Sequence, residues 1–417
     1  METLLRTIEK FIPRRAYALL QPAYHYVLNL LGAIIYRFPA RKLYVIGITG
    51  TKGKSTTTEI VNAILEEAGF KTACSNTIRF KVASDSRPNK FKMSMPGRFF
   101  MQKFLRDAVS AGCTHAVLEI TSEGSKQFRN RFIPLDAFIF TNIAPEHIES
   151  HGSFTKYLQA KLNIARNMKK SATTIGVINH DDAEHDAFAT AFAFTKLSSY
   201  SLSDAKPLDL SNGVAFRFHK STIHSPLTGE FNAYNILAAA TLADNLGINH
   251  ETIRAGIEKL KEVPGRVQKI ETGRGFEIVI DYAHTAESLT ALYSAFPSKK
   301  KICVLGNTGG GRDKWKRPVM ARVAEQFCDD IILANEDPYE EDPLTIVREM
   351  EAAITKKPVQ IILNRREAIH SAISRATPGS VVLITGKGTD PYLMEANNTK
   401  TPWSDYAVAK EELAKIK

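Results

Sequence analysis

A strand-like run, a glycine loop and a helical pattern follow one another near the start of this 417-residue chain. Residues 44–48 read YVIGI, an apolar run typical of a buried strand, and residues 60–65 have the apolar spacing of a helix. Between them stands the loop sequence Gly50-Thr51-Lys52-Gly53-Lys54-Ser55-Thr56. This order of strand, glycine loop and helix is the one that a phosphate-binding loop needs.

Each part of the loop has a physical role in holding a polyphosphate. Gly50 and Gly53 let backbone amides turn toward an anion, and the N-terminus of the following helix favours negative charge. Lys54 supplies a positive charge for the outer phosphates, and the Ser55 hydroxyl can bind Mg²⁺. The loop therefore predicts a site for a nucleoside triphosphate. The alternative is a glycine-rich turn with an incidental Lys-Ser pair, and the presence of both flanking elements argues against it.

Composition limits the class of ligand. The net charge of +11 suits an acidic ligand, a nucleic acid or an anionic membrane surface. No basic patch has interleaved aromatic residues, so the charge favours small anionic substrates and disfavours nucleic acid. Cys74, Cys113, Cys303 and Cys328 lie far apart without metal-ligand spacing. They are interpreted as buried free thiols in a reducing compartment, which predicts a cytoplasmic protein.

The N-terminal segment is apolar but short. Its most apolar part, residues 26–36, falls well below the roughly 20 residues that a membrane-spanning helix needs. Arg14, Arg15, Arg37 and Arg41 flank it on both sides, and no small-residue cleavage site follows, which disfavours a signal peptide. Helices packed on the body of the protein are the favoured interpretation. The alternative is an interfacial anchor that gives residues 1–40 a peripheral contact with a membrane.

Strands and helices alternate through both halves of the chain, which predicts an α/β fold. A Pro-Gly pair at residues 264 and 265 marks a hinge. We predict an N-terminal helical apolar segment at residues 1–41. A central phosphate-loop domain with a mostly parallel sheet follows at residues 42–262. Residues 263–417 are expected to form a C-terminal, Rossmann-like, doubly wound α/β domain.

Three further residues, Glu119, His147 and Lys161, have side chains that could bind a metal or act in catalysis. Glu119 ends a predicted strand, and the carboxyl edge of a parallel sheet is where such folds bind ligands, so Glu119 is a candidate Mg²⁺ ligand. Taken alone, however, Glu119 is interpreted as a solvated glutamate at the end of a strand. His147 lies in a stretch rich in His and Glu whose spacing fits no closed zinc site, so alone it is interpreted as a loop or core histidine. Lys161 alone would be an ordinary surface lysine.

Taken together, the motifs resemble those of the Mur ligase family, ATP-dependent enzymes that add amino acids to the peptidoglycan precursor. The resemblance covers residues 42 to about 410, in the family order. Within the family the chain is most similar to the third-residue ligases, which add lysine or diaminopimelate to UDP-N-acetylmuramoyl-dipeptide. The motifs that carry this likeness are Glu119-Ile120-Thr121-Ser122-Glu123-Gly124 with Gln127 and Arg129, Asp281-Tyr282-Ala283-His284-Thr285, Arg312-Asp313 with Lys316-Arg317-Pro318, and Gly386-Lys387-Gly388.

The resemblance implies a mechanism and a catalytic set. ATP phosphorylates a carboxylate to an acyl phosphate, and an amine attacks it with release of phosphate. Lys54 and the loop amides would hold the phosphates, Ser55 and Glu119 one Mg²⁺, and His147 a second. Lys161 falls where the family carries a carbamylated lysine, which acts as an anionic metal ligand. The implied catalytic residues are therefore Lys54, Glu119, His147 and Lys161.

Other positions match the binding residues of the family. Those that handle nucleotide, besides the loop from Gly50 to Thr56, are Asn142, Asn232, Arg266 and Asp281. Those that hold the muramoyl peptide or the amino acid are Ser94, Ser122, Gln127, Arg129, Arg312, Asp337, Gly386 and Asp390. The implied partners are these two small molecules, and a monomer is expected.

Three features depart from the family pattern. Residues 1–41 stand where relatives carry a domain for the uridine diphosphate. The selectivity motif Asp-Asn-Pro-Arg is replaced by Glu-Asp-Pro-Tyr at residues 336–339, which removes the guanidinium that would pair with a second carboxylate. This change argues against diaminopimelate as the added amino acid, and lysine or another amine remains an alternative. Glu123 replaces a histidine, and Thr389-Asp390 replaces His-Glu.

Two other functions therefore remain in view. One is a relative that acts on a different carboxylate, either of folylpolyglutamate type or a lipid-linked muramoyl substrate. The other is a nucleotide-binding scaffold that has lost catalysis. Retention of Lys54, Glu119, His147 and Lys161 together argues against the scaffold, because an inactive site is expected to lose some of them.

Overall fold

The structure, a computed structural model, describes residues 14–146, 148–169, 171, 173–311 and 313–416. Two of the predicted site residues, His147 and Arg312, lie outside the described residues. The chain forms two compact units, one of Met1–Ser201 with Leu237–Gly256 and one of Leu202–Ile236 with Ile257–Lys417. The predicted boundaries at residues 41 and 262 stay predictions.

The first unit is built on an eight-stranded sheet with the order β4-β3-β2-β5-β1-β6-β7-β8. From β2 to β8 all neighbouring strands are parallel, and β3 and β4 add an antiparallel edge. This confirms the predicted mostly parallel sheet. The strands are β1 Tyr44–Thr49, β2 Thr72–Ser75, β3 Arg79–Val82, β4 Asp85–Pro88, β5 His115–Glu119, β6 Ala137–Phe140, β7 Ile175–Asn179 and β8 Lys196–Tyr200.

Helices follow the strands of this sheet in the βαβ manner, and apolar side chains of β1, β5 and β6 reach a shared core. Because β1 and β5 are neighbours in the sheet although far apart in sequence, their carboxyl ends meet at one edge. The helices of the first half are α1 Arg14–Ile35, α2 Lys54–Glu67, α3 Arg98–Ser110, α4 Ser122–Lys126, α5 Ile148–His151, α6 Phe154–Ala165 and α7 His185–Ala189.

The N-terminal helix α1 packs against α3, which confirms the predicted packing on the body of the protein. Its Asn29 and Ala33 are buried, and Asn29 Nδ2 donates to the backbone oxygens of His25 (2.7 Å) and Gln127 (3.3 Å). In the described part of the chain, none of the helices combines the length and the apolarity that crossing a bilayer requires.

The second unit contains a six-stranded sheet with the order β11-β12-β16-β13-β14-β15. All pairs from β12 to β15 are parallel, and β11 is antiparallel. Successive residues of a strand enter two different apolar cores, as Ile278 and Val279 do, so both faces are covered. This confirms the predicted doubly wound architecture. The strands are β11 Gln268–Glu271, β12 Glu277–Ile280, β13 Lys300–Leu305, β14 Asp330–Leu333, β15 Val359–Ile361 and β16 Ser380–Ile384.

Among the described residues that follow β8, two small hairpins and seven α-helices accompany the second sheet. The hairpins are formed by β9 Val214–Phe218 with β10 Ser221–Ser225, and by β17 Tyr392–Met394 with β18 Lys400–Pro402. The helices are α8 Glu230–Asn245, α9 His250–Lys259, α10 Ala286–Ser294, α11 Lys316–Phe327, α12 Pro343–Glu351, α13 Arg365–Ser374 and α14 Asp405–Lys415. Of these, α8 and α9 contain residues of both units.

The prediction of four free thiols is wrong for two of them. Cys303 on β13 and Cys328 at the end of α11 form a disulfide with their Cα atoms 6.1 Å apart. Helix α11 returns the chain to the start of β14, beside β13, and so brings together two cysteines that are 25 residues apart in sequence. Cys74 and Cys113 are free and buried, as predicted.

A buried ion pair holds α13 and α14 of the second unit together. Arg365 Nε and Nη2 donate to the two carboxylate oxygens of Asp405 (2.8 and 2.7 Å), and Nη2 also donates to Thr385 O (2.7 Å). Both charged side chains are at most 1% exposed. Removal of one partner from such a buried bidentate pair destabilises the fold, because the other charge stays buried without compensation.

We therefore expect Arg365→Ala to lower the free energy of unfolding by about 3–5 kcal/mol, because Asp405 would keep a buried charge without its cation. Urea denaturation measures the change. Arg366→Ala is the matched control. The Arg366 side chain is 39% exposed and pairs with the exposed Glu411 and with Glu412, which keeps Lys415 as a partner, so the expected loss is about 1 kcal/mol or less. Equal losses for the two variants would contradict the role given to the buried pair.

Candidate active site

The loop between β1 and α2 adopts a conformation that requires glycine at two positions. Gly53, which precedes α2, has a φ of 81°, in the left-handed region that other residues rarely occupy. At Gly50 the constraint is space, because a Cβ atom would lie 1.8 Å from the Thr141 hydroxyl oxygen. The glycines therefore allow the backbone to pass close to β6 and then turn into the helix.

The end of β6 holds this loop in place. The backbone oxygen of Asn142 accepts from Thr51 N (2.8 Å), and its side-chain oxygen accepts from Lys52 N (2.9 Å). The Thr141 hydroxyl donates to Lys52 O (2.7 Å). Asn142, predicted to handle nucleotide, thus binds the backbone of the phosphate loop, and a direct contact with nucleotide stays a prediction.

Glu119 lies beside the loop, at the carboxyl end of β5. Its carboxylate accepts from the hydroxyls of Ser55 and Ser94 (2.7 Å each) and from Thr77 N (3.0 Å). Burial acts to raise the pKa of this carboxyl, but the charge of Lys54 and the three hydrogen bonds outweigh it and lower the pKa. Glu119 is therefore a buried carboxylate that stays ionised at neutral pH.

The oxygen donors at this point fit Mg²⁺. A carboxylate and a serine hydroxyl, Glu119 and Ser55, are hard ligands of the kind that Mg²⁺ prefers, and they lie at the start of a helix that follows a phosphate loop. Lys54 Nζ donates to Thr51 O (2.9 Å) within the loop, and Thr56 is buried behind it. The predicted loop residues are thus gathered at one end of β1.

Lys161 of α6 is not a surface lysine. It is 2% exposed, its Nζ donates to Gly50 O (2.6 Å), and the ammonium lies 4.9 Å from the centre of the Tyr157 ring. Burial, reinforced by the charge of Lys54, lowers the pKa of Lys161 well below its usual value. The amine therefore has an increased neutral fraction at physiological pH.

Three residues at the site were not selected from the sequence. Thr77 donates to Glu119 through both its backbone nitrogen and its hydroxyl. Glu146 is buried and accepts from Lys52 Nζ (3.1 Å), and the Tyr157 hydroxyl lies 2.9 Å from the Thr51 hydroxyl. Thr77 and Glu146 follow β2 and β6, so their positions after a strand could have marked them as site residues in the sequence. Tyr157 lies within a helix, and its sequence position does not indicate a role at the site.

The predicted acceptor-binding residues form a second group in the first unit. Arg129 donates to the side-chain oxygen of Gln127 (2.6 Å) and to Met95 O, next to Ser94. Ser94 in turn contacts Glu119, so this group reaches the carboxylate at the phosphate loop. Ser122 is buried at the start of α4.

In the second unit, two of the predicted nucleotide residues, Arg266 and Asp281, lie beside the Pro264-Gly265 pair and at the end of β12. Asp281 accepts from the backbone nitrogens of Val267 and Ala283 (2.7 Å each), and burial raises its pKa despite the nearby Arg266. The Arg266 guanidinium lies 4.5 Å from the centre of the Tyr282 ring. Asn232 is buried at the start of α8, where its side chain donates to Thr228 O (2.9 Å).

The predicted amino-acid residues of the second unit surround Lys387. Its Nζ lies 2.7 Å from an Asp337 oxygen and 3.4 Å from an Asp390 oxygen, and it is 1% exposed. Glu336 is also buried; one of its oxygens accepts from the Thr308 hydroxyl (2.9 Å), and the other, Oε2, has no hydrogen-bond partner among the described residues. Burial, with the charge of Asp337, raises the pKa of Glu336.

Gly386 packs directly against that glutamate, because a Cβ atom at this position would lie 2.2 Å from Glu336 Oε2. Its φ of 101° also favours glycine. The Glu336 carboxylate therefore occupies the space that a side chain at position 386 would need, so only glycine fits there.

Comparison with known proteins agrees with this arrangement. Residues 48–243 match the Mur ligase middle domain, and residues 265–388 match the Mur ligase, glutamate ligase domain. The UDP-N-acetylmuramoyl-L-alanyl-D-glutamate--2,6-diaminopimelate ligase of Geobacillus kaustophilus (strain HTA426) is 34% identical, over 91% of this chain and 81% of the relative. The chain belongs to the Mur ligase family.

One further relative and one solved structure are also similar to this chain. The UDP-N-acetylmuramyl-tripeptide synthetase of Roseiflexus sp. (strain RS-1) is 32% identical, over 96% of this chain and 84% of the relative. The solved structure of a UDP-N-acetylmuramoyl-L-alanyl-D-glutamate--2,6-diaminopimelate ligase has a TM-score of 0.61 and 28% identity, over 89% of this chain and 78% of that one. The family and the fold class inferred from the sequence are thereby confirmed.

Proposed function

We propose that the chain is an ATP-dependent acid–amino-acid ligase that activates a muramoyl-peptide carboxylate as an acyl phosphate and joins it to an amine. One observation carries the proposal: the Lys54–Ser55 loop, the Glu119 carboxylate and the buried Lys161 converge on one end of β1. Phosphoryl transfer requires positioned cations and metal ligands more than a covalent nucleophile, and this group supplies them.

The residues of the loop hold the phosphates of ATP and one of the ligands of Mg²⁺. The loop amides and Lys54 bind the phosphates of ATP, and Lys54 neutralises charge that moves to the leaving diphosphate. Ser55 and Glu119 would hold Mg²⁺, which, when bound, offsets the repulsion between ATP and the acceptor carboxylate. Ser94, Gln127 and Arg129 hold the acceptor, and Arg129 offers a cation to its anionic groups.

Lys161 is proposed to be carbamylated. A carbamate forms when a neutral amine attacks carbon dioxide and loses a proton, and the lowered pKa of Lys161 increases the neutral form. The product is an anion that can bind a second metal together with His147. Burial beside Gly50 would protect the adduct from water.

The incoming amine is assigned to the cluster around Lys387 in the second unit. Asp337 is already engaged by Lys387 Nζ and by Met394 N (2.9 Å), whereas Glu336 Oε2 has no such partner among the described residues. Glu336 is therefore the stronger candidate for binding an ammonium group of the amino acid. With tyrosine at position 339 in place of an arginine, a cationic side chain such as that of lysine is favoured over a second carboxylate.

We expect Glu336→Gln to raise KM for the amine by about tenfold or more, with a smaller effect on KM for ATP, because a buried charge-assisted hydrogen bond is lost. Initial rates at varied amine concentration measure the change. Glu340→Gln, in an exposed side chain four residues along, is the control. An unchanged KM would assign the amine to other residues.

The reaction is tested by phosphate release from ATP with purified protein. Muramoyl dipeptide, folate and a lipid-linked muramoyl acceptor are each combined with lysine, diaminopimelate, glutamate or ammonia. Release with muramoyl dipeptide and one amine supports the proposal. Release only with folate or the lipid-linked acceptor would show that the chain is a ligase for that acceptor and not for muramoyl dipeptide. No release with any pair would favour a catalytically inactive scaffold.

Three properties complete the proposal. The protein acts as a monomer in the cytoplasm. The proposed domain organisation is an N-terminal segment of residues 1–41, a central domain of residues 42–262 and a C-terminal domain of residues 263–417. Residues 1–40 make a peripheral contact with a membrane.

A further inference from the structure

The outer face of α1 is apolar, which is unusual for a helix at a protein surface. Val27, Leu31, Ile34 and Ile35 are between 43% and 61% exposed and recur at the spacing of one helix face. The opposite face is buried, as Asn29 and Ala33 show. Residues 16–36 contain no Asp, Glu, Lys or Arg, although the solvent side of a surface helix normally carries such residues.

The charges that flank this face have one sign. Arg14 and Arg15 begin the helix, and the exposed Arg37, Arg41 and Lys42 follow its end. No acidic residue occurs between Glu9 and Glu59. An apolar face bordered by basic residues matches the interface of a bilayer with negative headgroups, where the apolar side chains enter the acyl boundary and the cations meet the lipid phosphates.

We propose that the outer face of α1, formed by Val27, Leu31, Ile34 and Ile35, binds the surface of a membrane that contains anionic lipids. The inference deepens the peripheral contact named in the proposed function and rests on it. Because the inner face is fixed against α3, the helix would lie in the plane of the bilayer and not cross it.

The same helix is attached to the acceptor-binding residues. Asn29 Nδ2 donates to the backbone oxygen of Gln127, and Tyr26 makes edge contacts with Phe128 and Phe132. Membrane binding by the outer face would thus hold the loop with Gln127 and Arg129 about one helix diameter, roughly 10–12 Å, from the lipid surface. The acceptor site would then meet substrates that are delivered at the membrane.

Vesicle co-sedimentation of the full chain tests the proposal. We expect binding to vesicles with about one third phosphatidylglycerol, and at least tenfold weaker binding to pure phosphatidylcholine or in about 0.5 M salt. Leu31→Gln/Ile35→Gln should weaken binding to the anionic vesicles roughly tenfold, because two exposed apolar side chains are lost. Arg41→Gln/Lys42→Gln should weaken it roughly tenfold at low salt only.

Leu344→Gln is the matched control, since this leucine is 39% exposed on α12 of the second unit and should leave binding unchanged. No preference of the natural chain for anionic vesicles would overturn the proposal, and so would equal losses in Leu31→Gln/Ile35→Gln and Leu344→Gln. A dimer in solution that Leu31→Gln/Ile35→Gln converts to monomer would assign the face to a second copy instead. Phosphate release from ATP is also measured without vesicles. If no phosphate is released, the ligase proposal is refuted, and the result of the vesicle-binding experiment still stands.

Discussion

Glu119→Gln is expected to lower kcat about 1,000-fold, because the substitution removes the charge of the carboxylate that would hold Mg²⁺ while keeping its size. The amide also places an NH₂ group where Ser55 and Ser94 now donate, so one hydrogen bond at the site becomes a conflict. Steady-state rates at increasing Mg²⁺ measure the effect, and the Mg²⁺ concentration at half-maximal rate should rise together with the loss of kcat.

Asp136→Asn provides the matched control for this variant. Asp136 is also buried in the first unit, where it accepts from Val45 N and pairs with Lys169, but it precedes β6 at the opposite edge of the sheet. Its replacement is expected to reduce stability and to leave the Mg²⁺ dependence unchanged. If both variants showed the same Mg²⁺ dependence as the natural chain, Glu119 would be a structural carboxylate and the metal site would lie elsewhere.

Lys161→Ala is expected to abolish activity, with a loss of about 1,000-fold or more, since the proposed carbamate and its metal would both be missing. Added short carboxylic acids should restore part of the rate, because a small carboxylate can enter the space of the side chain and bind the metal. Activity is measured as phosphate release with and without acetate or formate.

The control and the pH dependence sharpen this test. Lys169→Ala removes another partly buried lysine, paired with Asp136, and should show no rescue by carboxylic acids. Since the folded protein lowers the pKa of Lys161, the neutral amine that carbon dioxide requires is lost as the pH falls through that lowered value. The natural enzyme should therefore lose activity on acidification and regain it with added bicarbonate. A Lys161→Ala variant with unchanged activity would remove the carbamate from the mechanism.

The parts of the fold that follow from local sequence were predictable. The strand before Gly50, the helix after it and the carboxylate at the end of β5 depend on apolar spacing and on the rule that parallel strands end at a common edge. That rule placed a carboxylate at the edge of the sheet, whereas the pairing of Glu119 with Ser55, which lie 2.7 Å apart, came from the family resemblance. The role of Lys161 came only from the family resemblance, because its position on α6 does not show which residues will bury it.

What could not be predicted depends on contacts between distant segments. The Cys303–Cys328 disulfide requires knowing that β13 and β14 are neighbours, and the spacing of the cysteines does not contain that fact. Thr77 reaches Glu119 only because β2 pairs with β5. The membership of residues 202–236 in the second compact unit likewise follows from packing between distant segments, which local sequence does not show.

The bracing of the phosphate loop by Thr141 and Asn142 has a thermodynamic consequence. The peptide groups of this loop are already hydrogen-bonded to the end of β6. The loop therefore loses little conformational entropy when ATP binds. Affinity then comes chiefly from the phosphates themselves, and a rigid cradle accepts ATP and ADP with the same backbone shape. Discrimination between ATP and ADP would then rest on side chains that reach the terminal phosphate, Lys54 foremost among them.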